Sequence, residues 1–164
     1  MTQTAYLSLG SNLADRAGNL REAIRRLKET TTVLAISSFY ETEPVEVPDQ
    51  PWFLNCVVAI ETGKTPQALL KALLSIEEAM GRVRNRAKGP RVIDIDIVLF
   101  GDRIVDEPGL QIPHPAMQER RFVLEPFAEI APEARHPILG KTASELLGEI
   151  EAGEIVRRID SVKE

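Results

Sequence analysis

The chain has 164 residues, a formal net charge of −5 and 43% hydrophobic residues. That length and balance predict a single globular domain over 1–164 and exclude a largely disordered chain. The acidic balance argues against nucleic-acid and membrane-surface partners, and no stretch approaches the roughly 18 consecutive apolar residues of a membrane span. Cys56 is the only cysteine. It cannot form an intrachain disulfide, argues against a cysteine metal site and, among Leu54, Val57 and Val58, reads as a buried apolar thiol. Met1-Thr2-Gln3-Thr4 has neither a basic region nor a signal-like apolar stretch, so a cytoplasmic protein is expected.

Ala5 to Leu9 reads as a first strand, stopped by Gly10-Ser11-Asn12. Leu20, Ile24 and Leu27 then recur at helical spacing. Thr32 to Tyr40 is predicted as a second strand and Phe53 to Thr62 as a third. The long loop between them, Glu41 to Trp52, holds Pro44, Pro48 and Pro51, and loops of that length often serve binding. Thr65-Pro66 opens a second helix with an N-cap residue and a first-turn proline. Leu69, Leu73, Ile76 and Met80 form its stripe, and Gly81 ends it. A fourth strand spans Val92 to Phe100, with a hairpin arm expected at Arg103-Ile104-Val105. The remainder reads as helix and loop, with an apolar face at Phe122, Leu124 and Phe127 and a capping box at Thr142 and Glu145. The order β-α-β-β-α-β predicts an α+β fold: a ferredoxin-like core, an antiparallel sheet with two helices on one face, followed by a C-terminal helical extension.

The fourth strand carries the chemistry. Asp94 and Asp96 interrupt an otherwise apolar run. Residues two apart on a strand share a face, with Cα atoms about 6.6 Å apart, so the carboxylates can converge on a divalent cation. Just upstream, Arg82, Arg84, Arg86, Lys88 and Arg91 occur with no acidic residue among them. Guanidinium groups match phosphate oxygens, and magnesium commonly binds one or two carboxylates together with substrate phosphates. The combination suggests phosphoryl or pyrophosphoryl transfer from a nucleotide. A solvated basic loop beside a water-facing Asp-x-Asp strand is the plainer alternative, and no P-loop pattern is present.

Glu77 lies beside the apolar stripe of the second helix, placed to contact the cation site or the basic loop, or to be a flexible residue at the edge of the core. His114 stands between Pro113 and Pro115, which restrict its backbone. Arg120 and Arg121 precede Phe122 and offer phosphate contacts or exposed helix charge. Asn55, next but one to Phe53, presents an amide donor and acceptor suited to a heterocycle edge, or simply bonds backbone.

These motifs resemble one family, the 6-hydroxymethyl-7,8-dihydropterin pyrophosphokinases, from Tyr6 to about Pro132. The resemblance is strongest at Gly89-Pro90-Arg91, Asp94-Ile95-Asp96 and Leu99-Phe100-Gly101, and is supported by Leu9 to Leu13, Ser38 to Thr42, Phe53-Leu54-Asn55, Glu77 with Gly81 to Arg84, Pro113-His114-Pro115 and Glu119 to Phe122. It implies transfer of the pyrophosphoryl group of ATP to the pterin hydroxymethyl group, releasing AMP, in folate biosynthesis. It further implies that Asp94 and Asp96 hold two magnesium ions, with Asp96 helping to accept the hydroxyl proton. Arg82 and Arg91 would be catalytic. Glu77, Arg82, Arg84, Arg91, His114 and Arg120 would bind ATP, while Thr42, Val45, Phe53, Asn55 and Phe122 would bind the pterin. The implied partners are the two small molecules alone, bound by a monomer. Lys88 and Asn85 stand where family members carry Trp and Lys. Two other readings are an effector-binding ferredoxin-like domain, which needs no Asp94–Asp96–Arg82 convergence, and a different metal-dependent transferase, against which Phe53, Asn55 and Phe122 argue.

Overall fold

The computed structural model describes residues 2–43, 51–81, 92–151 and 155–159. Elements appear in the order β1 (Gln3–Ser11), α1 (Arg16–Thr30), β2 (Thr32–Ile36), β3 (Phe39–Thr42), β4 (Phe53–Thr62), α2 (Pro66–Ala79), β5 (Asp94–Phe100), β6 (Val105–Glu107), β7 (Leu110–Ile112), α3 (Arg121–Ile130), α4 (Ala143–Glu149) and β8 (Val156–Ile159). A short 3-10 turn, Met117–Glu119, precedes α3.

One antiparallel sheet organises the molecule. Its order is β5-β1-β4-β3-β8, with β2 also pairing β4. The expected second strand is thus two strands laid end to end along β4. The break falls at Ser37 and Ser38. Ser37 Oγ accepts from Val57 N, and Ser37 N donates to Val57 O, each at 2.9 Å. Ser38 N and Oγ turn instead to the Glu129 carboxylate on α3.

Alternation along the strands sorts residues to two faces. Leu7 and Leu9 of β1, Cys56, Val58 and Ile60 of β4, and Ile95 and Ile97 of β5 form one core with α1 and α2, through Leu20, Ile24, Leu27, Leu69, Leu73 and Ile76. Each such side chain, fully buried, contributes about 1.5–3 kcal/mol. Both helices start as their sequences dictate: Asp15 accepts from Gly18 N, and Thr65 from Ala68 N ahead of Pro66. The C-terminal part covers the opposite face, where Val57, Val98 and Leu99 pack on Val123, Leu124, Phe127 and Leu146. The sheet is therefore covered on both faces. Thr142 and Glu145 form the expected reciprocal cap on α4.

Three further expectations need correction. β1 continues through Gly10 to Ser11 rather than stopping before them. The hairpin arm is β6–β7, turning at Gly109 with φ of 82°, and it sits further along than Arg103 to Val105. The C-terminal part is not only helix and loop, since β8 pairs with β3 and extends the sheet. Among the described residues, no helix is long and apolar enough to cross a membrane.

Candidate active site

The second core ends at Val57 and Val98, and on the same sheet face the residues just beyond it are polar. Asp94 and Asp96 are half-buried there, while Ile93, Ile95 and Ile97 are buried on the other face. A bulge in β5 makes this sorting possible. Tyr6 pairs with Leu99 and Leu7 with Ile97, leaving Val98 as an extra residue. Val98 and Leu99 therefore both reach the second core and Phe100 returns to the first.

Register places the remaining residues. Gly10 lies opposite Asp94 on one side and Asn55 on the other, and Ser8 opposite Asp96 and Val57. Asp94, Gly10 and Asn55 thus form one row across three strands, about 9.6 Å from Asp94 to Asn55 at normal strand spacing. A Cβ at Gly10 would meet Asn55 Oδ1 at 2.5 Å, so the amide keeps its place only while that position is bare. Asn55 is 3% exposed, and its Nδ2 donates to Thr42 Oγ1 at 2.7 Å. Phe53, half-buried, shares this face.

Glu77 is neither flexible nor exposed. It is 3% exposed, and its Oε2 accepts from Ile95 N at 2.7 Å. β5 is an edge strand, so this carboxylate occupies an edge amide between the two aspartates. The Glu77–Ile95 bond, the Gly10–Asn55 approach and the Thr42 hydroxyl were not signalled by motif spacing; the packing of α2 on β5 brings the first together, and the pairing of β4 with β1 and β3 the other two.

His114 N donates to Val98 O at 3.0 Å, which docks the Pro113-His114-Pro115 segment on β5. Its Nδ1 accepts from Ala116 N, so the proton sits on Nε2. Burial pushes the imidazole pKa down, the Arg120 charge adds to this, and Asp94 opposes it. His114 therefore lies within electrostatic reach of both Arg120 and Asp94. Arg120 lies 5.5 Å from the Phe122 ring centroid at the start of α3. Arg82, Arg84, Arg91, Val45 and the rest of the basic segment 82–91 lie outside the described residues.

The donor set fits an ion carried in with phosphates. Among the described residues no group of three or more His, Cys, Asp or Glu side chains converges on a metal position. Two carboxylates on one face suit magnesium, which fills its other positions with water and substrate oxygens.

Fold and site define an α+β protein with a carboxylate pair, a buried amide and an aromatic ring on one face of its sheet. The profile of the 7,8-dihydro-6-hydroxymethylpterin-pyrophosphokinase (HPPK) family matches residues 6–132. The 2-amino-4-hydroxy-6-hydroxymethyldihydropteridine pyrophosphokinase of Methylorubrum extorquens is 47% identical over 155 residues, covering 93% of this chain and 97% of that protein. The Pseudomonas aeruginosa protein of the same name is 45% identical over 150 residues, covering 90% and 91%. The fold matches wild-type Plasmodium falciparum HPPK-DHPS with a TM-score of 0.74 at 18% identity, over 91% of this chain and 44% of that one. The chain belongs to the HPPK family. It is a pyrophosphokinase that transfers the pyrophosphoryl group of ATP to 6-hydroxymethyl-7,8-dihydropterin in folate biosynthesis. Moving two phosphoryl units from ATP leaves AMP.

Proposed function

We propose that the Asp94–Gly10–Asn55 row is where the two substrates meet. This row carries the assignment, because a heterocycle held at Asn55 lies about two strand spacings from the carboxylates. In this reading Asn55 and the backbone at Thr42 and Val45 hydrogen-bond the pterin edge, and Phe53 and Phe122 enclose its ring. Asp94 and Asp96 hold two magnesium ions with the ATP phosphates. Bound magnesium would neutralise phosphate charge and acidify the pterin hydroxyl. Asp96 helps accept the hydroxyl proton. Arg82 and Arg91 stabilise charge on the migrating group, Arg84, His114 and Arg120 hold phosphate oxygens, and Glu77 borders the nucleotide pocket. Such catalysis is chiefly positioning and electrostatic stabilisation.

The protein acts on these small molecules as a single-domain cytoplasmic monomer that engages neither nucleic acid nor membrane. Its net charge of −5 disfavours polyanionic partners and surfaces. The test is incubation with magnesium, ATP and 6-hydroxymethyl-7,8-dihydropterin, followed by separation of the nucleotides. AMP and a pterin diphosphate are expected in equal amounts, whereas ADP would mean transfer of a single phosphoryl group. Titrating magnesium against the protein with a non-hydrolysable ATP analogue should give two ions per site.

A further inference from the structure

Behind the pterin-facing side of the sheet lies a cluster that the reaction does not require. Arg16, the first residue of α1, donates from Nη1 to Trp52 O and from Nη2 to Glu41 Oε2, each at 3.0 Å. From β8, Arg157 donates to the other oxygen, Glu41 Oε1, at 2.6 Å. The Arg157 guanidinium also lies 5.1 Å from the Trp52 ring centroid. Glu41 and Arg157 are register partners on β3 and β8. Phe39, two residues before Glu41, belongs to the α1–α2 core, so the cluster sits on the α1 side of the sheet.

Trp52 directly precedes Phe53, the first residue of β4, and successive side chains on extended backbone point to opposite faces. Holding Trp52 at the rear, by its carbonyl and its ring, therefore fixes Phe53 at the front. Glu41 does the same for Thr42, its neighbour, whose hydroxyl accepts from Asn55. Burial raises the Glu41 pKa, but its hydrogen bonds to Arg16 and Arg157 outweigh this and lower it overall. The carboxylate thus stays charged between two cations.

We infer that Arg157, with Glu41 and Arg16, is a positioning residue for the pterin pocket, acting through Trp52 and Thr42 from the reverse face of the sheet. The C-terminal strand is thereby part of the substrate-recognition apparatus. The inference rests on Phe53, Thr42 and Asn55 forming that pocket.

Arg157→Ala, Arg157→Lys and Asn55→Ala are compared with the parent in steady-state assays. Emission from Trp52, the only tryptophan, is recorded without substrates. Arg157→Ala should raise KM for the pterin about three- to tenfold, the range for one exposed ion pair plus one cation–π contact. KM for ATP and kcat should stay unchanged, Trp52 emission should shift, and Arg157→Lys should recover part of both effects. An unchanged pterin KM in Arg157→Ala, or an equal loss in kcat and both KM values, overturns the inference. If Asn55→Ala leaves the pterin KM unchanged, the pocket assignment itself fails. If only Asn55→Ala raises it, the pocket stands and the clamp does not. Should Arg157→Ala fail to fold, Glu41→Gln breaks the Arg157 pair and the Arg16 pair together with little change of shape; it too should raise the pterin KM with kcat and KM for ATP retained, and an unchanged pterin KM overturns the inference.

Discussion

The Glu77 carboxylate on α2 accepts a 2.7 Å hydrogen bond from Ile95 N, the amide between Asp94 and Asp96 on β5. Ile95 is also the register partner of Leu9 on β1. Because its N–H serves Glu77 instead of β1, that pair is a non-hydrogen-bonded one and the amide faces the free edge of the sheet. A buried carboxylate thus fixes the backbone that spaces the two aspartates.

Replacing Glu77 with Ala would leave that amide buried without its acceptor. The cost is about 1–3 kcal/mol, expected as a lower midpoint in urea with an unchanged slope. Glu77→Gln keeps an acceptor oxygen and should lose less. Magnesium affinity measured in the presence of an ATP analogue should weaken in the same order.

Gly10→Ala probes the front of the sheet. The new Cβ would lie 2.5 Å from Asn55 Oδ1, so the amide must move and strain its bond to Thr42. Overpacking of this kind costs about 1–3 kcal/mol. The expected kinetic result is a raised KM for the pterin with KM for ATP retained. Equal weakening of both substrates would place Asn55 elsewhere than at the pterin.

Local rules made much of this architecture legible. β4 spans Phe53–Thr62 as its apolar run predicts, α2 starts at the Thr65-Pro66 signal, α4 carries its capping box, and Cys56 is buried. Residues whose role depends on a distant partner were not legible. The break in the second strand depends on Ser37 meeting Val57 and Ser38 meeting Glu129. β8 is short and carries two adjacent arginines, so it has no apolar alternation to announce it, and its pairing with β3 supplies the order. Within the site, Asp94 and Asp96 were evident because a carboxylate pair in an apolar strand is costly. Gly10 and the Thr42 hydroxyl act through the cross-strand neighbour Asn55, which a linear motif does not display.

His136 supplies a pH prediction away from the site. It is 5% exposed, and its Nδ1 accepts from Ile138 N and Leu139 N at 3.2 and 3.1 Å. Burial lowers its pKa below the usual 6.5. The unfolded chain therefore takes up a proton at higher pH than the folded one, so stability rises with pH across the interval between the two values. Stability should be full above about 6.5 and fall as pH drops below it through the folded value. Histidine NMR titration should give a pKa for His136 below that of an unstructured peptide. A value at or above the peptide's would mean that Nδ1 does not accept from the two amides.

Asp96 separates catalytic from structural need. It faces the polar end of the sheet surface, half-buried, while its neighbours Ile95 and Ile97 hold the strand in the core. Removing this half-buried side chain leaves those apolar contacts in place, so Asp96→Ala should keep a native circular dichroism spectrum. A carboxylate that organises a cation and takes a proton acts most strongly in the transition state, where its loss is felt in kcat. Turnover should fall at least about a hundredfold, equivalent to ~2.7 kcal/mol of barrier. Excess magnesium should recover little of it, because the proton acceptor is also missing. Asp94→Ala should likewise retain the fold, but with its larger effect on the magnesium concentration needed for half-maximal rate. If Asp96→Ala kept most of its turnover at ordinary magnesium, the carboxylate pair would not be the metal site, and the proton would have to leave the pterin hydroxyl by another route.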